Sequence, residues 1–179
     1  MQFERKDPWL SLCGLNCGLC PMRLGNHCGG CGRGNPACRI ARCSLAHGGV
    51  AYCFQCSEYP CSTYAQIDAF DSFISHRNQK SDLARAARLG ADAYGAEQRE
   101  KRRILDRLLA DYNDGRRKTF YCVAVNLLEL QTLREILQEI AERPEIDRLP
   151  PKERIACVAG LFQRAAEARG LELKLRRKK

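Results

Sequence analysis

The stretch CGLNCGLCP, residues 13–21, decides the fold of the first third of this chain, because it crowds three thiols into a glycine-rich segment. Helical spacing would place Cys13, Cys17 and Cys20 on one face. The intervening Gly14 and Gly18 oppose a helix, since glycine weakens helix interiors. A glycine-rich loop can fold around an ion and turn its backbone N–H groups toward the sulfurs. We therefore predict a metal-binding loop here.

The cysteines are very unevenly distributed along the 179 residues. The chain has 12, and only Cys122 and Cys157 lie beyond residue 61. The N-terminal segment MQFERKDPWLSL is charged where a signal peptide would be apolar, and no membrane-spanning segment is predicted, so we expect a cytoplasmic protein. Reduced cytosolic cysteines in such clusters are typical of metal sites rather than disulfides. The predicted metal ligands are Cys13, Cys17, Cys20, Cys28, Cys31, Cys38, Cys43, Cys53, Cys56 and Cys61.

Pairs of the form C-x2-C, here called knuckles, recur at residues 28–31 (CGGC) and 53–56 (CFQC). Each knuckle presents two thiolates from a tight turn, which is the usual half-site of a tetrahedral zinc ion. Ten thiols supply two four-cysteine sites with two left over, so we expect two zinc ions. One predicted grouping is Cys17, Cys20, Cys28 and Cys31, with the second site drawn from the later five cysteines.

Other residues near the thiols have simpler interpretations. Cys38 and Cys43 lie five apart on a predicted helix, which turns them by about 140° from each other, so they serve different sites or one lies at the helix end. Pro60 is expected in the first turn of a helix that carries Cys61. His27 adjoins a knuckle and is an optional ligand. His47 is more simply a helix cap.

Outside the cysteine-rich region the predicted elements are helices. We divide the chain into a cysteine-rich metal-binding region, residues 1–62, and a helical bundle, residues 63–179, giving a mainly α fold with a metal-stabilised N-terminal part. Apolar periodicity and stop residues predict four helices: one over 79–89, one that ends at Tyr112, one over 130–140 and one from Pro150 to Gly170.

The segment KTFYCVAVNLL (118–128) is either a short buried helix or an extended segment. LELKLRRKK, at the C-terminal end, is either a brief edge strand or a solvated basic end. Cys122 and Cys157 are predicted as small buried side chains, and His76 has no assigned role.

The order CGL-x-C-x2-C-P (13–21), C-x2-C (28–31), C-x-I-x2-C (38–43) and C-x2-C-x2-Y-P-C (53–61) resembles the prokaryotic cysteine-rich family catalogued as domain of unknown function 3795. TFYCVAVNLL and LKLRRKK resemble features of its longer members. The resemblance implies a small cytosolic protein that binds zinc, and it implies no catalytic residue.

Three function classes follow from these patterns. The first is a zinc-dependent structural or interaction module, with an unidentified protein partner, because the first third lacks an apolar core and structural zinc supplies folding energy. The second is an iron–sulfur protein with a redox role, because Cys13-x3-Cys17-x2-Cys20 has the spacing of a cluster motif and Cys20-Pro21 is typical of ferredoxin ligand runs.

The third class is a zinc-scaffolded nucleic-acid-binding protein, to which the formal net charge of +9 and the basic run around Lys101 point. Bound zinc–thiolate sites would lower that charge, and alternating charges on a helix are usually a solvated face. No catalytic constellation is predicted, so an enzyme is the less favoured reading.

Overall fold

The computed structural model describes Arg5, Asp7, residues 9–33 and residues 37–177. This part of the chain is mainly helical and contains no β-strand, which confirms the predicted fold class at that level. Two single 3-10 turns, at Cys17–Leu19 and Cys53–Gln55, lie in the cysteine-rich region. The helices are α1 (Pro21–Leu24), α2 (Arg39–Ala46), α3 (Ser62–Ala65), α4 (Gln79–Leu89), α5 (Ala91–Asp111), α6 (Lys118–Leu127), α7 (Leu130–Ala141), α8 (Glu145–Arg148) and α9 (Pro151–Glu167).

The chain forms two compact units. The first comprises residues 1–99 and 175–179, and the second comprises residues 100–174, so the boundary falls within α5. The cysteine-rich region, residues 1–62, lies in the first unit together with α4 and the first part of α5. None of the described helices is long and apolar enough to cross a membrane.

The core of the first unit is built from aromatic and leucine side chains. Leu10, Tyr64, Leu83 and Tyr94 are almost completely buried and pack in one cluster. Partly buried thiols, those of Cys13, Cys53 and Cys61, pack against this cluster. A second, smaller cluster around Leu12 and Ala41 contacts Cys31, Cys38 and Cys53. The cysteine loops therefore lie directly on the apolar core.

The second unit buries α6, which resolves the open prediction for residues 118–128 in favour of a helix. All residues from Tyr121 to Asn126 of α6 are buried, and Tyr121 packs edge-on against Phe162 of α9 with ring centroids 5.7 Å apart. Cys122 is fully buried, as predicted, whereas Cys157 is partly exposed, so its predicted burial is wrong. Position 157 lies on α9 beside the inward-facing Val158 rather than on the buried face itself.

The predicted helix ends agree with the structure where the stop residue is glycine. α4 ends at Gly90, which has φ +89°, and the turn after α5 contains Gly115 with φ +84°. Pro60, in contrast, lies outside the first turn of α3. Cys61 has an extended backbone (φ −96°, ψ 171°), so the helix begins only at Ser62 and Cys61 is its N-cap.

The C-terminal segment forms no strand over residues 171–177, so the edge-strand alternative is wrong there. Two hydrogen bonds join Arg176 to Asp71: the Asp71 N–H donates to the Arg176 carbonyl (2.9 Å), and the Arg176 N–H donates to the Asp71 carboxylate (2.8 Å). Because both hydrogen bonds join the same two residues, they do not form the repeating hydrogen-bond ladder of a β-sheet. Lys178 and Lys179 of the predicted basic end lie outside the described residues.

Arginines of the basic run on α5 pair with acidic residues one turn further on. Arg102 Nε lies 2.8 Å from Asp106 Oδ1, and Arg107 Nε lies 3.6 Å from Asp111 Oδ2. These i, i+4 pairs are exposed and are worth only about 0.3–0.5 kcal/mol each. They have the pattern of a solvated helix face.

Candidate metal centre

The N-terminal cysteines line two cavities of different size. The first, here called the smaller site, has a volume of about 30 Å³ and is lined by Cys43, Cys53, Cys56 and Cys61. The second, the larger site, has a volume of about 320 Å³ and is lined by Cys13, Cys17, Cys28, Cys31 and Cys38. Cys20 lines neither cavity but lies within electrostatic range of Cys17. All ten thiols are partly buried.

Three short elements position the thiols of the smaller site. Cys43 projects from α2, Cys53 and Cys56 flank a 3-10 turn, and Cys61 caps α3. The turn is closed by the Cys56 N–H, which donates to the Cys53 carbonyl (3.1 Å). The Cys53 N–H donates to the carbonyl of Leu12 (2.9 Å), which anchors the knuckle on the loop that precedes CGLNCGLCP.

His47 also lines the smaller site, and both of its ring nitrogens face oxygen atoms. Nδ1 lies 2.8 Å from the Cys43 carbonyl, and Nε2 lies 3.1 Å from Glu58 Oε1. The hydrogen bond to the Cys43 carbonyl, followed by the Glu58 carboxylate, raises the pKa of His47. His47 is the C-cap residue of α2, as predicted. His27 is exposed and lines neither cavity.

The CGLNCGLCP loop is fastened to α3 and α4 through its backbone. The Cys13 carbonyl accepts hydrogen bonds from the Tyr64 hydroxyl (2.9 Å) and from Gln79 Nε2 (3.1 Å). Gly14 has φ +88°, and a Cβ atom there would lie 2.5 Å from the Gln79 carbonyl oxygen. A glycine is therefore needed for the close approach as well as for the backbone conformation.

Asn16 is a buried support of the same loop. Its Nδ2 donates to Asp82 Oδ2 (2.8 Å), and its Oδ1 accepts from the Tyr94 hydroxyl (3.2 Å). Asp82 also accepts from Asn78 Nδ2 (2.5 Å). From the sequence, Asn16 had no assigned role. Its partners lie more than 60 residues away, so no local pattern could have identified this network.

Hydrogen-bond donors are directed at several sulfurs of the larger site. The Gly30 N–H donates to Cys28 Sγ (3.4 Å), and Ser11 Oγ lies 3.2 Å from Cys13 Sγ. A backbone hydrogen bond at Leu12 lowers the pKa of the Cys31 thiol, though less than burial raises it. N–H groups aimed at sulfur stabilise thiolates, and such outer contacts commonly surround metal-bound ligands.

Burial dominates the acid–base behaviour of these thiols. It raises the pKa of Cys13 and Cys17, of Cys31 to about 11 and of Cys53 to about 12. Neighbouring thiols add to the effect, because two negative charges close together oppose each other. Without a compensating cation, the thiols of Cys13, Cys17, Cys31 and Cys53 are therefore neutral at pH 7. Thiolate ligation requires a bound cation, which reverses this preference.

In the part of the chain that the structure describes, no three His, Cys, Asp or Glu side chains are arranged closely enough to hold one metal ion. The two cavities gather the thiols without bringing the sulfurs to coordination distance. Metal binding at either site thus requires the side chains to move toward a common centre. Apart from Cys43, which lies within α2, the thiols lie on loops, helix ends and short turns, and rotation about χ1 is the least costly way to do this.

The division of thiols between the cavities differs from the grouping predicted from sequence. Cys17, Cys28 and Cys31 share a cavity as predicted, but Cys13 and Cys38 line it too. Cys38 is the N-cap of α2, and Cys43 lies about 1.4 turns later, so they face different cavities. The prediction that Cys38 and Cys43 belong to different sites, or that one of them lies at the helix end, agrees with these positions.

Two residues of the larger site carried no prediction. His76 Nδ1 lies 3.1 Å from the Ile67 carbonyl, to which it can only donate, and Nε2 lies 2.8 Å from Ser72 Oγ. A neutral imidazole in this tautomer is able to bind metal through Nε2. Gln79 is buried, and its Oε1 has no hydrogen-bond partner among the described residues. Both residues follow Cys61 by at least 15 positions and carry no local motif.

Comparisons with protein-family models, with curated proteins and with solved structures found no match to this chain.

Proposed function

We propose that this chain is a zinc-binding protein in which the metal has a structural or interaction role, as the resemblance to the cysteine-rich family implies. The observation that supports this function best is the smaller site. Four thiols from three separate segments line one small cavity: Cys43, Cys53, Cys56 and Cys61. Four thiolates are the complete ligand set of a structural zinc ion.

The size of the smaller site favours a single ion. A water molecule needs on the order of 10–15 Å³ of such space, and the smaller site offers about 30 Å³. A cubane of four irons and four sulfides needs far more room than one or two water molecules. Thiolate sulfur and tetrahedral geometry are also what zinc prefers.

A zinc ion here would stabilise the segment that has the least regular structure. Between residues 9 and 65 the described helices are short, and the longest is α2 with eight residues. A structural zinc ion contributes on the order of 10–16 kcal/mol to folding in small domains. It would connect α2, the 53–56 knuckle and α3, which the backbone otherwise joins only through loops.

A closed four-thiolate site leaves no open position for a substrate, which is why we assign a structural or interaction role rather than a catalytic one. The two aromatic rings beside the site, Tyr59 and Tyr64, pack edge-on with centroids 5.0 Å apart. Both rings line the smaller site and place apolar surface beside its thiols, which suits a structural zinc.

The test is a metal count on protein purified without oxygen. Elemental mass spectrometry measures zinc and iron per chain, and acid-labile sulfide is assayed in parallel. We expect zinc without sulfide, and we expect Cys56→Ser to lose one zinc equivalent. Cys157→Ser is the matched control, since this partly exposed cysteine lies in the second unit. An unchanged zinc content in Cys56→Ser would contradict the proposed function.

A further inference from the structure

We infer that the loop between α3 and α4, residues 66–78, binds single-stranded nucleic acid together with the basic residues at the C-terminal end. This inference goes beyond the proposed zinc binding and rests on different residues. It also differs from the sequence-based hypothesis, which drew on the overall charge and on the basic run around Lys101. The loop is here called the aromatic loop, because it carries two exposed phenylalanine rings.

Phe70 and Phe73 place their rings in solvent. Phe70 is 49 % exposed and Phe73 is 60 % exposed, and no other aromatic side chain among the described residues is exposed to this degree. The two residues lie three positions apart, so their Cα atoms are at most about 11 Å from each other. One strand can therefore stack bases on both rings. Such stacking accepts any sequence, because every base has a π face.

Hydrogen bonds and burial fasten the aromatic loop, although it contains no helix. The Asp71 carboxylate accepts from the His76 N–H (2.8 Å) and from the Arg176 N–H (2.8 Å). Ile74, which directly follows Phe73, is completely buried and anchors the second half of the loop. A loop that is already held in place loses little conformational entropy when its exposed rings bind a ligand.

The same contacts bring the basic C-terminal residues beside the rings. The Asp71 N–H donates to the Arg176 carbonyl (2.9 Å), and Asp71 directly follows Phe70 in the chain. The backbone of Arg176 therefore lies next to the segment that carries the first ring. Arg177 is exposed, and the sequence from residue 176 to the end is RRKK. Aromatic rings and a run of cations thus occupy one surface of the first unit.

Charge favours a polyanion as the occupant of this surface. Both carboxylates of the aromatic loop are paired with cations: Asp68 Oδ1 lies 2.7 Å from Lys80 Nζ, and Asp71 Oδ1 lies 3.3 Å from the Arg176 guanidinium. These pairs compensate the negative charge beside the rings, and residues 177–179 add three more positive charges. Stacking rings next to lysine and arginine are the combination that single strands bind through their bases and phosphates.

A membrane surface fits these residues less well than a nucleic acid strand. Helices that lie on membranes bury a continuous apolar face, whereas the aromatic loop has no helix and places Asp71 and Ser72 between its two rings. Inserting both rings into lipid would carry these polar residues toward the hydrocarbon. Stacking on bases leaves them where they are. Duplex DNA is also a poor occupant, because its bases are stacked on each other and cannot cover the rings.

Fluorescence anisotropy on the full-length, zinc-containing protein tests the inference. The probes are fluorescein-labelled oligothymidylate and oligouridylate of about 12 nucleotides, within the span of known single-strand sites. Binding of either probe, stronger than binding of a duplex of equal length, is expected. Phe73→Leu keeps the apolar bulk but removes the π face, and it should weaken binding at least about fivefold. Leu89→Ala is the matched control, since Leu89 is another exposed apolar residue of the first unit, and its affinity should be unchanged.

The salt dependence of binding tests the basic end separately. Each phosphate contact on a single strand contributes about 0.7 to the slope of log K against log salt concentration. Arg177→Gln should therefore lower this slope by about 0.7, whereas Arg107→Gln, an exposed position of α5, should leave it unchanged.

Three results would overturn the inference: failure of both single-stranded probes to bind, equal affinity of Phe73→Leu and the unaltered chain, or stronger binding to phosphatidylserine vesicles than to either probe. Circular dichroism checks that each variant is folded. Zinc content is measured on every variant and should not change, so failure of this inference leaves the test of the proposed function intact.

Discussion

Replacing Gly14 by alanine tests how the CGLNCGLCP loop is held against α4. Gly14 has φ +88°, and a Cβ atom at this position would lie 2.5 Å from the Gln79 carbonyl oxygen and 2.7 Å from Leu83 Cβ. Leu83 is fully buried in the core, and the Gln79 carbonyl belongs to the first turn of α4. Neither obstacle is the flexible end of a side chain, so the loop itself must move.

The expected cost has two parts. A left-handed backbone conformation costs a non-glycine residue roughly 1–2 kcal/mol, and forcing an extra methyl group into a packed core costs about 1–3 kcal/mol. Gly14→Ala should therefore lower the free energy of unfolding of the first unit by about 2–5 kcal/mol. Gly48→Ala is the matched control, because Gly48 has φ +79° and nothing within 4 Å of its would-be Cβ. Its cost should be the backbone part alone, about 1–2 kcal/mol.

Urea unfolding followed by the fluorescence of Trp9 measures both variants. Trp9 is the single tryptophan of the chain and lies in the first unit, beside Gly18. Zinc is kept in equal excess in all samples, so that ligand linkage is the same for each variant. Equal midpoints for Gly14→Ala and Gly48→Ala would refute the close packing of the loop on α4.

Three further outcomes are expected. Tyr64→Phe removes the hydroxyl that donates to the Cys13 carbonyl and should cost about 0.5–1.5 kcal/mol in the same urea assay; no change would show that this bond contributes nothing. Burial alone would raise the pKa of Asp71, but hydrogen bonds from backbone N–H groups and from the Arg176 guanidinium lower it below its usual value. Its contact with Arg176 is thus fully stabilising above about pH 4 and weakens as the pH falls further. The protection of the Arg176 amide against hydrogen exchange should therefore be lower at pH 3 than at pH 5 in the unaltered chain, compared with the same two measurements on Asp71→Asn. Removal of zinc by a chelator should unfold the cysteine-rich region, shifting Trp9 emission, while most of the helical circular dichroism persists; an unchanged emission would contradict a structural role of the metal.

Local features of the sequence were enough to predict most helices. Apolar periodicity and the breakers Gly90, Gly115 and Pro151 define the ends of α4, α5 and α9, because helix propagation and termination depend on contacts within one or two turns. The glycines of CGLNCGLCP likewise predict a loop from local backbone preference alone. Prediction from the sequence was weaker where two local conformations compete. Composition left residues 118–128 open between a helix and an extended segment, and burial in the second unit favours the helix.

The sequence by itself determined that this is a mainly helical chain with a thiol-rich loop region near its N-terminus, because chain-local spacing controls both. Only the tertiary structure decided which thiols share a cavity, because packing on Leu10, Tyr64 and Leu83 brings together segments that are far apart in the chain. Because Cys38 and Cys43 point in different directions from α2, they line different cavities, and the packing of α4 places Gln79 beside the larger site. Such neighbours depend on the long-range packing of the whole first unit, which no spacing between cysteines encodes.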